Sequence, residues 1–225
     1  MHFDKINNKG QARLFEHNTL EMLTRTHPLV IYSIYLPVIG FMLYHSVANI
    51  GTSLGITLAI FSGGILFWTL FEYAMHRYLF HMVANSVLGR RIIYTMHGVH
   101  HEYPRDKGRL FMPPLPSVVI SGIIFGVMYL CIGNYAFALF PGFILGYLLY
   151  ASMHYAIHAF APPRFLKALW RNHHLHHYKE PDAGFGVSSV LWDVVFGTVP
   201  EKEERTTVVS APRSKIKTSE GPHTA

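Results

Sequence analysis

Histidine is the residue type through which this sequence can do chemistry. Sixteen histidines stand in 225 residues, and ten of them gather in four clusters. His76 and His81 lie in EYAMHRYLFH, and His97, His100 and His101 in MHGVHH. His154 and His158 lie in MHYAIH, and His173, His176 and His177 in HHLHH. A neutral imidazole is a common ligand for transition metals. On a helix, residues three and four apart share a face, so each cluster can turn its rings toward one or two ions. Eight or more imidazoles exceed the four ligands of a tetrahedral zinc site and suit a pair of metals. The sole cysteine, Cys131, excludes both an intrachain disulfide and a CxxC metal site, which leaves His and carboxylate as ligands. His2, His17, His27, His45 and His223 stand alone and read as surface or interfacial residues. His174 occupies a variable position inside the last motif.

Long apolar helices must position these clusters. Half of the chain is hydrophobic and only 14% is charged, against about 25% charged in ordinary soluble domains. Residues 26–71 and 110–163 contain no Asp, Glu, Lys or Arg. Each run is long enough for two spans of about 20 residues across a hydrocarbon layer of about 30 Å. The expected helices run over 28–47, from 54 onward, over 117–132 and over 135–158, with turns at Asn49, Gly51 and Ser53 and at Gly133 and Asn134. At about 1.5 Å per residue, His76 and His158 lie about 33 and 35 Å beyond the starts of the second and fourth helices, at one interface.

Charged residues fall at 1–25, 72–109 and 164–225, and the distribution of Lys and Arg assigns all three segments to the cytoplasmic side. The formal net charge of +6 fits juxtamembrane contact with anionic head groups. Nucleic-acid binding is not expected, because no basic stripe interleaved with aromatics is present. The mixed-charge lead is unlike a cleavable signal peptide. The expected architecture is an all-α, multi-pass membrane four-helix bundle, its histidine-lined metal site on the cytoplasmic side capped by short helices. An N-terminal cytoplasmic segment covers 1–27, the membrane domain 28–200 and a polar, disordered tail 201–225.

In order, the motifs HRYLFH, HGVHH, HYAIH and HHLHH resemble the histidine-rich membrane desaturase and hydroxylase superfamily. FEYAMHRYLFH, HGVHHEYPRDKGRLFMPP and FGVSSVLWDVVFGT are similar to the fatty acid 2-hydroxylase branch, over about residues 67–200. The resemblance implies that all ten clustered histidines hold a non-haem pair of iron ions; imidazoles also bind zinc, which is the alternative occupant in purified protein. It implies hydroxylation of C2 of an acyl chain with O2, the acyl group being free, a thioester or part of a sphingolipid. One departure is Ala151, after Tyr150, where the branch has Asp. No cytochrome b5 stretch is present in the sequence, so a separate donor, cytochrome b5 or ferredoxin with its reductase, is expected. The membrane is then that of the endoplasmic reticulum in a eukaryote or the inner membrane in a bacterium.

Supporting residues are named on the same footing. Glu72, one turn before His76, orients that imidazole or pairs with Arg77. Asp193 orients a ligand or caps a helix, and Tyr150 lies beside the third cluster. Arg105, Lys107 and Arg109 meet the acyl carboxyl or a lipid head group, or anchor the interface. Two other readings remain: a superfamily oxygenase acting on a sterol, carotenoid or other lipid, and a non-enzymatic membrane metal-binding protein. The transporter form of the latter predicts ionisable groups within the spans, where only His45 qualifies between 29 and 71.

Overall fold

The computed structural model describes residues 6–201, which excludes His2, His223 and nearly all of the 201–225 tail. Every regular element among the described residues is helical. In chain order they are α1 (Asn18–Leu23), α2 (Pro28–Tyr44), α3 (Leu54–Ala74), α4 (Val87–Ile93), α5 (Val99–Glu102), α6 (Pro114–Ile132), α7 (Ala136–Ala159), α8 (Lys167–Tyr178) and α9 (Leu191–Phe196). Three stretches are long and apolar enough to cross a membrane: Pro28–Asn49, Leu54–Phe80 and Lys107–Ala159. The last contains both α6 and α7, joined through the 3-10 turn Gly133–Tyr135. The chain is an integral membrane protein.

Local chemistry sets the helix starts. Pro28 opens α2, where its missing N–H costs nothing, and His27 accepts from the Leu29 amide at 3.3 Å. Ser53 caps α3 by accepting from the Ile56 amide. Pro114 at the first position starts α6 three residues before the expected 117. Gly133, at φ +56°, ends it in a conformation that favours glycine.

Lipid is as apolar as leucine, so shape and interhelical hydrogen bonds must hold the bundle together. Shape decides the pairing of α3 with α7. A Cβ on Gly142 would sit 1.9 Å from the Phe61 carbonyl oxygen, and one on Gly64 2.2 Å from that of Leu139. A Cβ on Gly146 would meet Trp68 at 2.4 Å. The two backbones therefore touch where no other residue type fits. Ile31 and Tyr35 of α2 and Met128 of α6 share one apolar core with Phe140, Phe143, Ile144 and Leu148 of α7. Tyr35 bonds Ser117 at 2.7 Å, Ser46 meets Thr57 at 3.3 Å, and Tyr32 bonds Ser152, each linking two elements. Outward residues such as Leu29, Phe41, Leu66 and Leu130 stay exposed, as lipid-facing side chains must.

Candidate metal centre

The close α3–α7 contact sets the floor of the site, because both helices run on into histidines. Past Ala74, α3 widens into a π-helical turn, Met75–Phe80. Its i to i+5 pattern, with the His81 amide bonding the His76 carbonyl at 3.3 Å, brings His76 and His81 together. A second π turn, Tyr94–Gly98, carries His97 into α5 with His100 and His101. His154 and His158 lie one turn apart on α7, and His173, His176 and His177 on the buried side of α8.

The ten rings separate into two groups of five. The first holds His76, His81, His97, His101 and His176; the second holds His100, His154, His158, His173 and His177. Within each group one nitrogen per ring lies within 4.8 Å of all the others, and among the described residues no carboxylate joins either group. The two HxxHH motifs are interleaved. His97 and His101, four apart, serve the first group while His100 crosses to the second. His173 and His177 serve the second while His176 crosses to the first. An i+4 residue returns to within about 40° of its partner on a helix, whereas i+3 falls about 60° to the other side. The groups also touch: the rings of His101 and His177 stack at 4.2 Å.

The nitrogens fit metal ions better than they fit one another. His97 Nε2 lies 3.1 Å from His76 Nε2 and 3.0 Å from His101 Nε2. His173 Nε2 lies 2.9 Å from His158 Nε2 and 3.1 Å from His177 Nε2. A neutral imidazole nitrogen carries one proton or one lone pair and cannot satisfy two such neighbours. Ligands about 2.1 Å from a shared ion at right angles are about 3.0 Å apart, which is the observed spacing. His176 Nε2 and both nitrogens of His81 are buried without a hydrogen-bond partner. Burial holds His81 down to about 3, with the charge of His76 adding to the effect. Burial, then repulsion from neighbouring histidines, likewise holds His97, His100, His101, His173, His176 and His177 well below the ordinary value. All are then in the neutral form that binds metal.

A loop supports the first group from behind. His76 Nδ1 donates to the Phe185 carbonyl at 2.6 Å and His176 Nδ1 to that of Ala183 at 2.8 Å. Both bonds turn Nε2 inward as the lone-pair donor. Two buried carboxylates hold that loop. Asp193 accepts from the Phe185 and Gly186 amides at 2.9 and 2.8 Å, and Glu72 from those of Val187 and Ser188 at 2.7 and 2.8 Å. Glu72 also accepts from Trp68 and the Ser188 hydroxyl, and Asp193 from Thr198. Gly184, at φ +72°, and Gly186, whose Cβ would lie 2.1 Å from the Ser189 carbonyl oxygen, allow the turn.

Other candidates sit elsewhere. Glu72 bonds neither His76 nor Arg77; it acts on the histidine only through the loop. Arg109 pairs with Glu21 and, at 3.4 Å, with Asp106, and it donates to Thr24 and the Ala12 carbonyl. Its guanidinium pins the N-terminal segment to the loop before α6. Arg105 and Lys107 are exposed. Tyr150 lies parallel to His154, ring centroids 5.8 Å apart, and Ala151 is buried in the apolar core. His174 is exposed and belongs to neither group, and His17 and His27 are also exposed. The Phe185 and Ala183 carbonyls are absent from the sequence reading. Their one signal is the glycine pair that brackets Phe185.

A family model described as fatty acid hydroxylase matches residues 61–198. The dihydroceramide fatty acyl 2-hydroxylase FAH1 of Arabidopsis thaliana is 37% identical over 197 residues, covering 87% of this chain and 83% of the relative. The ceramide very long chain fatty acid hydroxylase SCS7 of Saccharomyces cerevisiae is also 37% identical, over 84% of this chain and 50% of its own length. A solved structure of full-length Scs7p, with only its hydroxylase domain visible, aligns at TM-score 0.80 and 34% identity, covering 86% of this chain and 74% of that one.

Proposed function

Because the chain belongs to the fatty acid hydroxylase family, we propose that it hydroxylates C2 of a fatty acyl chain with O2, through two iron ions held by its ten clustered histidines. The observation that carries this reading is the pair of five-nitrogen groups set at the end of an apolar helical bundle. Imidazole donors suit iron, zinc and copper, and the absence of carboxylates from both groups disfavours magnesium and calcium. When bound, the metal pair activates O2, a task no side chain performs. One oxygen atom enters the product and the other leaves as water, so each turnover takes up two electrons and two protons from outside.

The chain's own residues supply the rest. His76 and His176 keep their protons on Nδ1 through the Phe185 and Ala183 carbonyls. Glu72 and Asp193 keep that loop in place. The apolar bundle accepts the acyl tail and excludes water from the site. An amide-linked acyl lipid of the ceramide type fits better than a free acid. Arg109 is committed to Glu21 and Asp106, and Arg77, next to His76, donates to the Tyr73 hydroxyl and lies over the Phe185 ring, while Arg105 and Lys107 are exposed. The relatives named for dihydroceramide and ceramide support the same choice.

Four spans over 28–200, with the metal site and both termini on the cytoplasmic side, complete the proposal. An impermeant thiol reagent should label cysteines placed at Thr52 and Asn134 only from the opposite side of the membrane. For the activity, expression in a host lacking 2-hydroxy lipids should make 2-hydroxy acyl sphingolipids appear. A hydroxylated sterol or a mid-chain alcohol would replace the reading with a different lipid oxygenase.

A further inference from the structure

One stripe of α8 is left over by the metal groups. Lys167, Arg171, His174 and Tyr178 recur at helical spacing, apart from the buried Trp170, His173, His176 and His177. His174 and Tyr178 are exposed, yet they touch the site. Their rings lie parallel, 11° apart, with centroids 6.2 Å apart. The His174 ring is 6.5 Å from that of His158, and the Tyr178 ring is 6.2 Å from that of His177. The pair is fixed rather than loose: His174 Nδ1 donates to the Trp170 carbonyl at 2.6 Å, and the Tyr178 hydroxyl to Asn8 at 2.7 Å. His158 is also the one member of either group that is not fully buried.

The charge around this pair is mainly positive. Arg164, Lys167, Arg171 and Lys179 lie along and beside α8, against Glu180 and Asp182 in the loop that follows it. Arg171 spends its contacts on the carbonyls of Pro200 and Glu201, not on a carboxylate. A basic surface steers acidic partners. A helix lying in the lipid interface would present a broad apolar face outward, whereas the only large apolar side chain that α8 exposes is Tyr178, with Phe165 exposed just before it.

We infer that this stripe is the docking face for an acidic one-electron carrier protein, and that its electrons reach the second group of histidines by way of His174 and Tyr178. The inference rests on the hydroxylase reading, which requires two electrons per turnover from outside the chain.

The test uses the metal-loaded full chain in neutral phosphatidylcholine nanodiscs and a reduced soluble cytochrome b5 domain, whose oxidation is followed by stopped-flow absorbance. The Lys167→Glu, Arg171→Glu double variant should oxidise the carrier roughly tenfold more slowly at low salt, and high salt should bring the wild type close to it. His174→Leu and Tyr178→Leu should lower the saturating rate and leave the half-saturating carrier concentration unchanged. Metal content and reduction by dithionite should not change in any variant, which separates electron entry from a merely structural role. A double variant that oxidises the carrier at the wild-type rate overturns the inference. So does a defect seen only in nanodiscs of anionic lipid, which would make the stripe a head-group contact. Wild-type protein that forms 2-hydroxy lipid with dithionite and O2 keeps the hydroxylase reading intact in either case.

Discussion

The two histidine groups have equal numbers of rings and different means of support. In the first, His76 and His176 each lean on a backbone carbonyl of the 183–185 loop, and two of the contributing turns are π-helical. In the second, the Nδ1 atoms of His100, His173 and His177 have no hydrogen-bond partner, and the rings ride on α5, α7 and α8. One site is clamped from behind by a loop fixed through buried carboxylates. The other is placed by the packing of helices. Equal ligand counts therefore do not imply equal tolerance of change.

Ligand loss should have the largest effect and should blur the distinction, because the motifs are interleaved. His100→Ala and His176→Ala each remove the crossing member of an HxxHH motif. Each should lower occupancy of both metals and cost more activity than the 10- to 100-fold typical of losing an outer partner. His17→Ala should match wild type. Metal analysis beside turnover decides the point: an active His100→Ala protein with full metal content breaks the assignment.

Next in size is the helix contact that places the second group relative to the first. Gly142→Leu drives a side chain into the Phe61 carbonyl, which is backbone and cannot yield. Destabilisation by at least about 1–3 kcal/mol is expected, with loss of metal from both groups. Gly40→Ala, with nothing within 4 Å of the new Cβ, is the control. Unfolding in detergent micelles reads both. A Gly142→Leu protein as stable as the control would remove α3–α7 packing from the account.

The clamp should separate the groups. Asp193→Asn or Glu72→Gln should weaken metal binding at the first group by about 10- to 100-fold and leave the second nearly unchanged. Competition with a chelator, followed at both sites, checks this. Equal weakening at both would mean that the loop supports the whole centre.

How far the sequence could be read follows from the range of each interaction. The four long helices were legible because charge-free runs are local signals, although the start of α6 at Pro114 was placed three residues late. The histidines were legible as clusters because i, i+3 and i+4 spacing is local too. Their division into interleaved groups was not, since it depends on α5 facing α8 across more than seventy residues. Glu72 and Asp193 were noticed for nearness in sequence to a motif. Their real partners are the amides of 185–188, which for Glu72 lie more than a hundred residues away. Arg109 read as a substrate cation because its contacts with Ala12, Thr24 and Glu21 come from the other end of the chain. The π turns had no signal in residue type.

One further effect is shared by both groups. In metal-free protein the buried histidines of both have folded values below the ordinary one near 6.5. The unfolded chain therefore takes up protons first as pH falls. Stability should be complete above about pH 6.5 and decline below it, by about 1 kcal/mol per pH unit for each such histidine. Thermal unfolding between pH 7 and 5 measures the slope, and a flat profile would contradict burial of neutral rings in either group.

The reaction itself gives the most direct test. Metal-loaded protein should be supplied with a reductant, 18O2 and an acyl lipid carrying two deuterons at C2. The account predicts a 2-hydroxy product that has gained one 18O and lost one deuterium, with no label entering from 18O-water. Label from water, both deuterons retained, or oxygen at any other carbon would contradict it.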